Sequence, residues 1–303
     1  MKIGLIGLGK MGFNLALNLI DHEHQVVAFD VERANVVKLE EAGATGVNSL
    51  KELAQSLAPK RVIWLMIPAG QAVDDVLRAL KPLLQKGDII IDGGNSNYKD
   101  TLRRYDDLRK AGLALVDCGT SGGISGARKG ACTMVGGDRE AVSHCEKIFE
   151  DLSVQDGYLH VGGPGAGHFI KMVHNGIEYG MMQAIAEGFA VVEKSPFNVD
   201  FHKVARLWNH GSVIRSWLIE LCESAFGKEP RLESIKGVMH ASGEGLWTIQ
   251  TALELGVPTP VIALSLIMRQ RSLETDSFAG KVVAALRAEF GGHAVVSDKS
   301  TKT

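Results

Sequence analysis

At 303 residues the chain has the length of about two domains, each large enough for its own core. A content of 45% hydrophobic and 22% charged residues is that of an ordinary soluble globular protein, and 33 basic against 35 acidic residues leave a net charge of −2, too weak a field to gather nucleic acid or an anionic membrane. No apolar run approaches the roughly 20 residues that span a bilayer, the N-terminus lacks a signal-peptide layout, and the four cysteines show no C-x-x-C spacing, so a cytoplasmic chain with reduced thiols and no metal site is expected.

From the N-terminus, short apolar runs at 3–7, 26–30, 61–66, 88–92 and 113–117 alternate with helical stretches at 11–20, 34–41, 72–84 and 99–110. This βαβ alternation predicts an α/β domain over residues 1–164, built on a doubly wound parallel sheet. His22 and His24 flank an acidic residue at a helix-to-strand turn and read as solvated. Beyond residue 164 the strand-like alternation disappears. Helical periodicity at 169–194, 204–209, 214–224, 246–255, 261–272 and 281–290 predicts an all-helical domain over 165–303, with Pro196, Pro230, Pro258 and Pro260 between helices and a disordered polar tail at 297–303.

The first strand ends in Gly7-Leu8-Gly9-Lys10-Met11-Gly12 and runs into a helix, the context in which a G-x-G-x-x-G segment binds a dinucleotide in a Rossmann domain. Gly7 makes the tight turn, Gly9 lets backbone approach a pyrophosphate, and Gly12 permits close helix packing, while the helix N-terminus offers free N–H groups. The bland alternative is a glycine-rich turn without a ligand. Asp30 closes the second strand, where a carboxylate accepts hydrogen bonds from the adenosine ribose and repels a 2′-phosphate. Arg33 reads as the start of the next helix, and the predicted cofactor is NAD.

Two further loops follow strands, Asp92-Gly93-Gly94-Asn95-Ser96 and Cys118-Gly119-Thr120-Ser121-Gly122-Gly123. Loops at the carboxyl ends of such strands face the ligand cleft. Asn95 and Ser121 suit a polyol, and Gly122 and Gly123 offer backbone N–H groups to an anion, although all are also ordinary turn residues. The segment Lys171 to Tyr179 then places Lys171, His174, Asn175 and Glu178 at i, i+3, i+4 and i+7, on one helical face. A solvated charged stripe is the plain reading. The apolar turns that follow, from Met181 to Ala186, predict instead a buried helix, in which lysine and glutamate need partners or a chemical task.

Together these segments resemble decarboxylating 6-phosphogluconate dehydrogenase over nearly the whole chain, down to Phe290-Gly291-Gly292-His293, and the length is similar to that of the short branch of that family. Asp30, Val31 and Glu32 stand where the long, NADP-using enzymes carry Asn-Arg-Thr, which agrees with NAD. The resemblance implies that Lys171 is the base at the substrate C3 hydroxyl and Glu178 the acid that protonates the enediol left by loss of CO2. It further implies that Asn95, Ser121, Gly122, Gly123, His174, Asn175 and Tyr179 position a phosphorylated sugar acid, with Arg215, Arg287 and His293 on its phosphate. Gly7, Leu8, Gly9, Met11, Gly12, Asp30 and Asn95 would hold NAD. A homodimer or dimer of dimers with the C-terminal tail shared between subunits is implied as well. A lysine serves as a base only where burial lowers its pKa, and a β-keto acid decarboxylates readily once its carbonyl is polarised.

One departure from the family pattern stands out. Ser242-Gly243-Glu244-Gly245-Leu246-Trp247 replaces a Lys-Gly-Thr-Gly-Lys-Trp segment whose lysine and threonine contact the phosphate. Two rival readings remain at this stage. Another β-hydroxyacid dehydrogenase, of the 3-hydroxyisobutyrate type, would share the glycine loop and the lysine but release no CO2, and a non-catalytic NAD-binding scaffold would form no NADH.

Overall fold

A computed structural model describes residues 1–296, and the predicted disordered tail at 297–303 lies outside the described residues. The chain divides into two compact units, one from Met1 to Ile177 and the other from Glu178 onward. The first contains β1 (Lys2–Ile6), α1 (Lys10–Asp21), β2 (Gln25–Phe29), α2 (Arg33–Glu40), β3 (Thr45–Gly46), α3 (Leu50–Gln55), β4 (Val62–Leu65), α4 (Gln71–Leu80), β5 (Ile89–Asp92), α5 (Tyr98–Lys110), β6 (Ala114–Ser121), α6 (Gly123–Lys129), β7 (Ala131–Gly137), α7 (Arg139–Leu152) and β8 (Ser153–Gly162). The long helix α8 (Ala166–Glu193) runs through the division, and α9 (Phe201–Asn209), α10 (Trp217–Lys228), α11 (Gly243–Glu254), α12 (Pro260–Ser272) and α13 (Phe278–Gly291) complete the second unit.

The strands form one eight-stranded sheet in the order β3-β2-β1-β4-β5-β6-β7-β8. Strand order reverses beside β1, so the glycine loop that leaves β1 sits at the switch point of the sheet. Both faces are covered, which explains the continuous apolar runs. Ile3 and Leu5 of β1 join Leu15, Leu19, Trp64 and Phe149 in one core layer, while Ile6 joins Val27, Leu53, Ile63 and Leu77 in the other.

The sheet is parallel as expected except at one pair. β6 and β7 pair antiparallel, with Cys118 opposite Val135 and Ser121 opposite Cys132. That pairing prolongs β6 through Ser121, so Cys118 to Ser121, expected as loop, are strand residues. His24 is a second correction. It is buried, with Nδ1 facing the Met1 amino group at 3.1 Å and Nε2 facing Asp151 Oδ2 at 2.9 Å. Burial first, and then the positive N-terminus, lower its pKa against the opposing pull of Asp151. Because the folded state resists a proton that the unfolded chain accepts, this residue should make stability fall as pH drops below about 6.5, down to its lower folded value. The check is the melting temperature of wild type and His24→Gln between pH 7.5 and 5.5, with the wild type expected to lose more.

Within the second unit Phe189, Phe201, Ala205 and Phe226 form a small core, with Phe189 and Phe226 ring centroids 4.8 Å apart. Helices α9 and α10 begin where polar side chains cap them. Asp200 accepts from Lys203 N at the start of α9 and Ser216 from Ile219 N at the start of α10, which sets the observed starts a few residues away from those that periodicity predicts. Helix α8 departs from the expected buried helix along one face, because no part of the described chain covers that surface. Ile170, Ile177 and Met181, spaced i, i+7 and i+11, form an exposed apolar stripe, with Ile177 at 52% exposure.

Candidate active site

The glycine loop is built for close approach. At Gly7, with φ of 95°, a Cβ would lie 2.4 Å from the Met66 carbonyl oxygen, and at Gly12 one would lie 2.0 Å from the Gly7 oxygen. Both positions therefore exclude side chains. A Cβ at Gly9 meets nothing within 4 Å, so the backbone at the N-cap of α1 is open to a ligand, as a pyrophosphate requires. Leu8 is buried and Met11 packs against the sheet core. Asp30, just past β2, accepts the Leu8 N–H on Oδ2 and the Glu32 N–H at 2.7 Å on Oδ1, which fixes its carboxylate against the loop. Arg33 opens α2, as expected, and its Nη2 lies 3.1 Å from both carboxylate oxygens of Glu40. Glu40 fits there because Gly46 has no side chain, a Cβ at Gly46 lying 2.2 Å from Glu40 Oε1.

The loop after β5 presents Asn95 to solvent on a rigid base. Buried Asp92 accepts from Ser96 Oγ at 2.7 Å and from Gly94 N at 3.1 Å. Buried Arg104 donates to Ser96 Oγ, to the Gly70 carbonyl and to Asp74, so it ties this loop to the one before α4. Burial acts to raise the Asp74 carboxyl, but hydrogen bonds from Arg104 and Arg103 prevail and hold it below the usual carboxylate range.

At the end of β6, Ser121 Oγ lies 3.2 Å from His174 Nε2, and His174 Nδ1 lies 2.9 Å from Asn175 Oδ1. The His174 Nδ1–H therefore donates to the amide, leaving Nε2 to accept the serine hydroxyl. Lys171 is 6% exposed and Asn175 is buried too. Gly119 makes this packing possible, since a Cβ there would stand 2.3 Å from Lys171 Cβ. Gly122 and Gly123 take positive φ at the start of α6, and a Cβ at Gly123 meets nothing within 4 Å, so its backbone is unobstructed. Ser121, His174, Lys171 and Asn175 thus form one cluster in the first unit.

The second unit holds a different cluster. Glu178 is half-buried, whereas Tyr179 is buried and its hydroxyl accepts the Ser242 N–H at 2.9 Å and lies 3.0 Å from Ser242 Oγ. The Arg269 guanidinium stacks 3.7 Å from the Tyr179 ring centroid and donates to the His240 carbonyl at 2.9 Å. Sequence reasoning missed Arg269. Its one signal was a position four residues past buried Ser265, on the inner face of α12. Glu244 is buried, and Gly245 packs edge-on to the Tyr179 ring, where a Cβ would come within 2.6 Å. Arg215 lies in the exposed turn before α10, Arg287 is exposed on α13, and His293 is exposed just past the left-handed Gly292 that ends that helix.

An open glycine turn at the switch point of a doubly wound sheet, followed by a helical unit, defines a nicotinamide-dinucleotide-binding oxidoreductase. A family model for the NAD binding domain of 6-phosphogluconate dehydrogenase matches residues 2–162, and one for the C-terminal domain of that enzyme matches residues 167–298. The chain belongs to the 6-phosphogluconate dehydrogenase family. It is 60% identical over 294 residues to the YqeC protein of Bacillus subtilis (strain 168), itself only provisionally described as a 6-phosphogluconate dehydrogenase, covering 97% of this chain and 99% of that one. It is also 42% identical over 297 residues to the NAD(+)-dependent, decarboxylating 6-phosphogluconate dehydrogenase of Haloferax volcanii, covering 97% and 98% of the two chains. Among solved structures, Plasmodium falciparum 6-phosphogluconate dehydrogenase, studied with NADP+ and with 6-phosphogluconate, superposes with a TM-score of 0.83 at 31% identity, over 100% of this chain and 67% of that one. No helix among the described residues is long and apolar enough to cross a membrane.

Proposed function

We propose that this protein oxidises and decarboxylates 6-phospho-D-gluconate to D-ribulose 5-phosphate and CO2, with NAD as cofactor. The observation that carries the reading is the buried Lys171 in one cluster with Ser121, His174 and Asn175. NAD, held by residues 7–12 and Asp30, supplies the acceptor for the hydride that leaves C3. Lys171 takes the proton of the C3 hydroxyl, and burial is the condition under which a lysine can do so. Ser121, His174, Asn95 and Asn175 orient the polyol. The product of oxidation is a 3-keto acid, whose C1 carboxylate leaves as CO2 while the electron pair moves toward the C3 oxygen. Glu178, two turns along α8 from Lys171, then protonates the enediol at the carbon that bore the carboxylate, which becomes C1 of the ribulose product.

On phosphate recognition the reading adds one residue to those first expected. Arg269, stacked on Tyr179 beside Ser242, supplies the cation that the Ser242 and Leu246 positions lack relative to the long enzymes. The test is NADH formation across a panel of sugar acids and short 3-hydroxy acids. The reading requires 6-phosphogluconate to exceed unphosphorylated gluconate and 3-hydroxyisobutyrate, and it fails if either of these is the better substrate or if none is turned over.

The same reading makes the enzyme a homodimer in which the C-terminal segment of one subunit, with Arg287 and His293, completes the site of the other. Its support is apolar surface that none of the described residues covers, including Leu264 at 61% and Phe278 at 79% exposure. Mixing inactive Lys171→Ala and His293→Ala subunits should restore about one intact site per heterodimer. No activity beyond that of the separate variants would place His293 in its own chain's site.

A further inference from the structure

Asp117, on β6, takes no part in the chemistry just described, yet its carboxylate is completely buried. Oδ1 accepts the Gly165 N–H at 2.7 Å and Oδ2 accepts the His168 N–H at 2.8 Å. These are backbone donors at the start of α8, where a helix leaves N–H groups without intrahelical partners and where a negative charge is favoured by the helix dipole. Two residues further along β6, Gly119 abuts Lys171 Cβ. A Cβ at Gly167 would stand 2.6 Å from the Asp117 carbonyl oxygen and 2.5 Å from that of Met134, so the helix lies directly on the β6–β7 pair. The same turn is tied on its other side to α5. His168 Nδ1 lies 2.7 Å from Thr101 Oγ1, and the Phe169 ring packs edge-on to Tyr98 with centroids 5.1 Å apart.

From this arrangement we infer that Asp117 is a positioning residue for Lys171: by gripping the first turn of α8 it sets the depth and rotation at which the lysine amine enters the site. Packing alone, through the glycines, fixes how close helix and strand come. It leaves the helix free to slide or turn along the strand, and the two hydrogen bonds to one carboxylate remove that freedom. Misplacement of a reacting group by about 1 Å can cost a hundredfold in rate without loss of fold. The inference rests on the reading of Lys171 as the base.

The test is Asp117→Asn in the full-length protein, with Asp117→Ser as a second variant that keeps a single acceptor. An asparagine offers one oxygen to two donors and turns an NH2 toward the other. The expected result is a 10- to 100-fold fall in kcat for 6-phosphogluconate, with KM for NAD and NAD affinity within about twofold of wild type, and faster hydrogen exchange at the Gly165 and His168 amides but not in α1. A residue with only a structural role would lower the melting temperature and leave kcat per folded molecule unchanged. That outcome overturns the inference, as does a general rise in exchange with parallel loss of NAD binding, or failure of both variants to yield folded protein. The functional reading fails separately, if wild type forms no NADH from 6-phosphogluconate. In that case the exchange rates at Gly165 and His168 alone decide whether Asp117 holds the turn.

Discussion

Lys171→Ala is expected to abolish turnover while leaving NAD binding intact. General-base catalysis contributes roughly 10²–10⁴-fold, and in the proposed reaction the lysine would have a second task, its protonated form polarising the carbonyl whose electron demand drives loss of CO2. The fall in kcat should therefore lie near the upper end of that range. The glycine loop and Asp30 belong to other elements and are held by hydrogen bonds and packing of their own, so the cofactor site should survive. Steady-state kinetics and a fluorescence titration with NADH, performed on the same preparation, check both halves. A kcat near normal would remove Lys171 from the role of base, and loss of NADH binding would show that the substitution acts through the fold.

The second large effect is cofactor choice. A 2′-phosphate would meet the Asp30 carboxylate, which the Leu8 and Glu32 amides lock in place, with Glu32 two residues away and no cation at Val31. Arg33 is the nearest candidate to rescue the phosphate, but both oxygens of Glu40 engage its guanidinium. One poorly matched charge is worth about 1–3 kcal/mol, so NAD should exceed NADP by about ten- to a hundredfold in kcat/KM. The Arg33–Glu40 pair is partly exposed and contributes only about 0–1 kcal/mol, so Glu40→Gln should narrow the preference by no more than several-fold. Equal efficiency with both cofactors in wild type would show that Arg33 leaves Glu40 for the phosphate.

The features of this fold that were legible in its sequence are those with local causes. The turn at Gly7 to Gly12, the alternation of β1, β2, β4, β5 and the start of β6 with α1, α2, α4 and α5 and the periodicity of α8 each depend on neighbours along the chain, and residues a few positions apart carry the signal. What escaped depends on partners far away in sequence. The antiparallel β7 changed the nature of Cys118 to Ser121 from loop to strand, and nothing within those four residues says that a partner strand will arrive. Helix α7 was legible in principle, because Ala141, Val142, Cys145, Ile148, Phe149 and Leu152 follow helical spacing on its buried face.

At the candidate site the division is the same. Lys171, His174 and Asn175 lie on one helix and could be grouped by counting turns. Ser121 beside His174 could not be paired from spacing alone, nor could Arg269 beside Tyr179, nor the grip of Asp117 on Gly165 and His168, since each joins elements whose meeting is decided by the whole fold. For Arg215 and Arg287 resemblance supplies a residue type at a position, in the exposed turn before α10 and on the exposed face of α13, and spacing alone does not say what meets them there.

The most direct measurement is the fate of C1. Wild-type protein supplied with NAD and 6-phosphogluconate labelled with ¹³C at C1 should release one labelled CO2 for each NADH formed and leave ribulose 5-phosphate without label. NADH formed with the label retained in a keto acid would mean oxidation without decarboxylation, as in a 3-hydroxyisobutyrate-type enzyme, and would contradict the function proposed for Lys171 and Glu178.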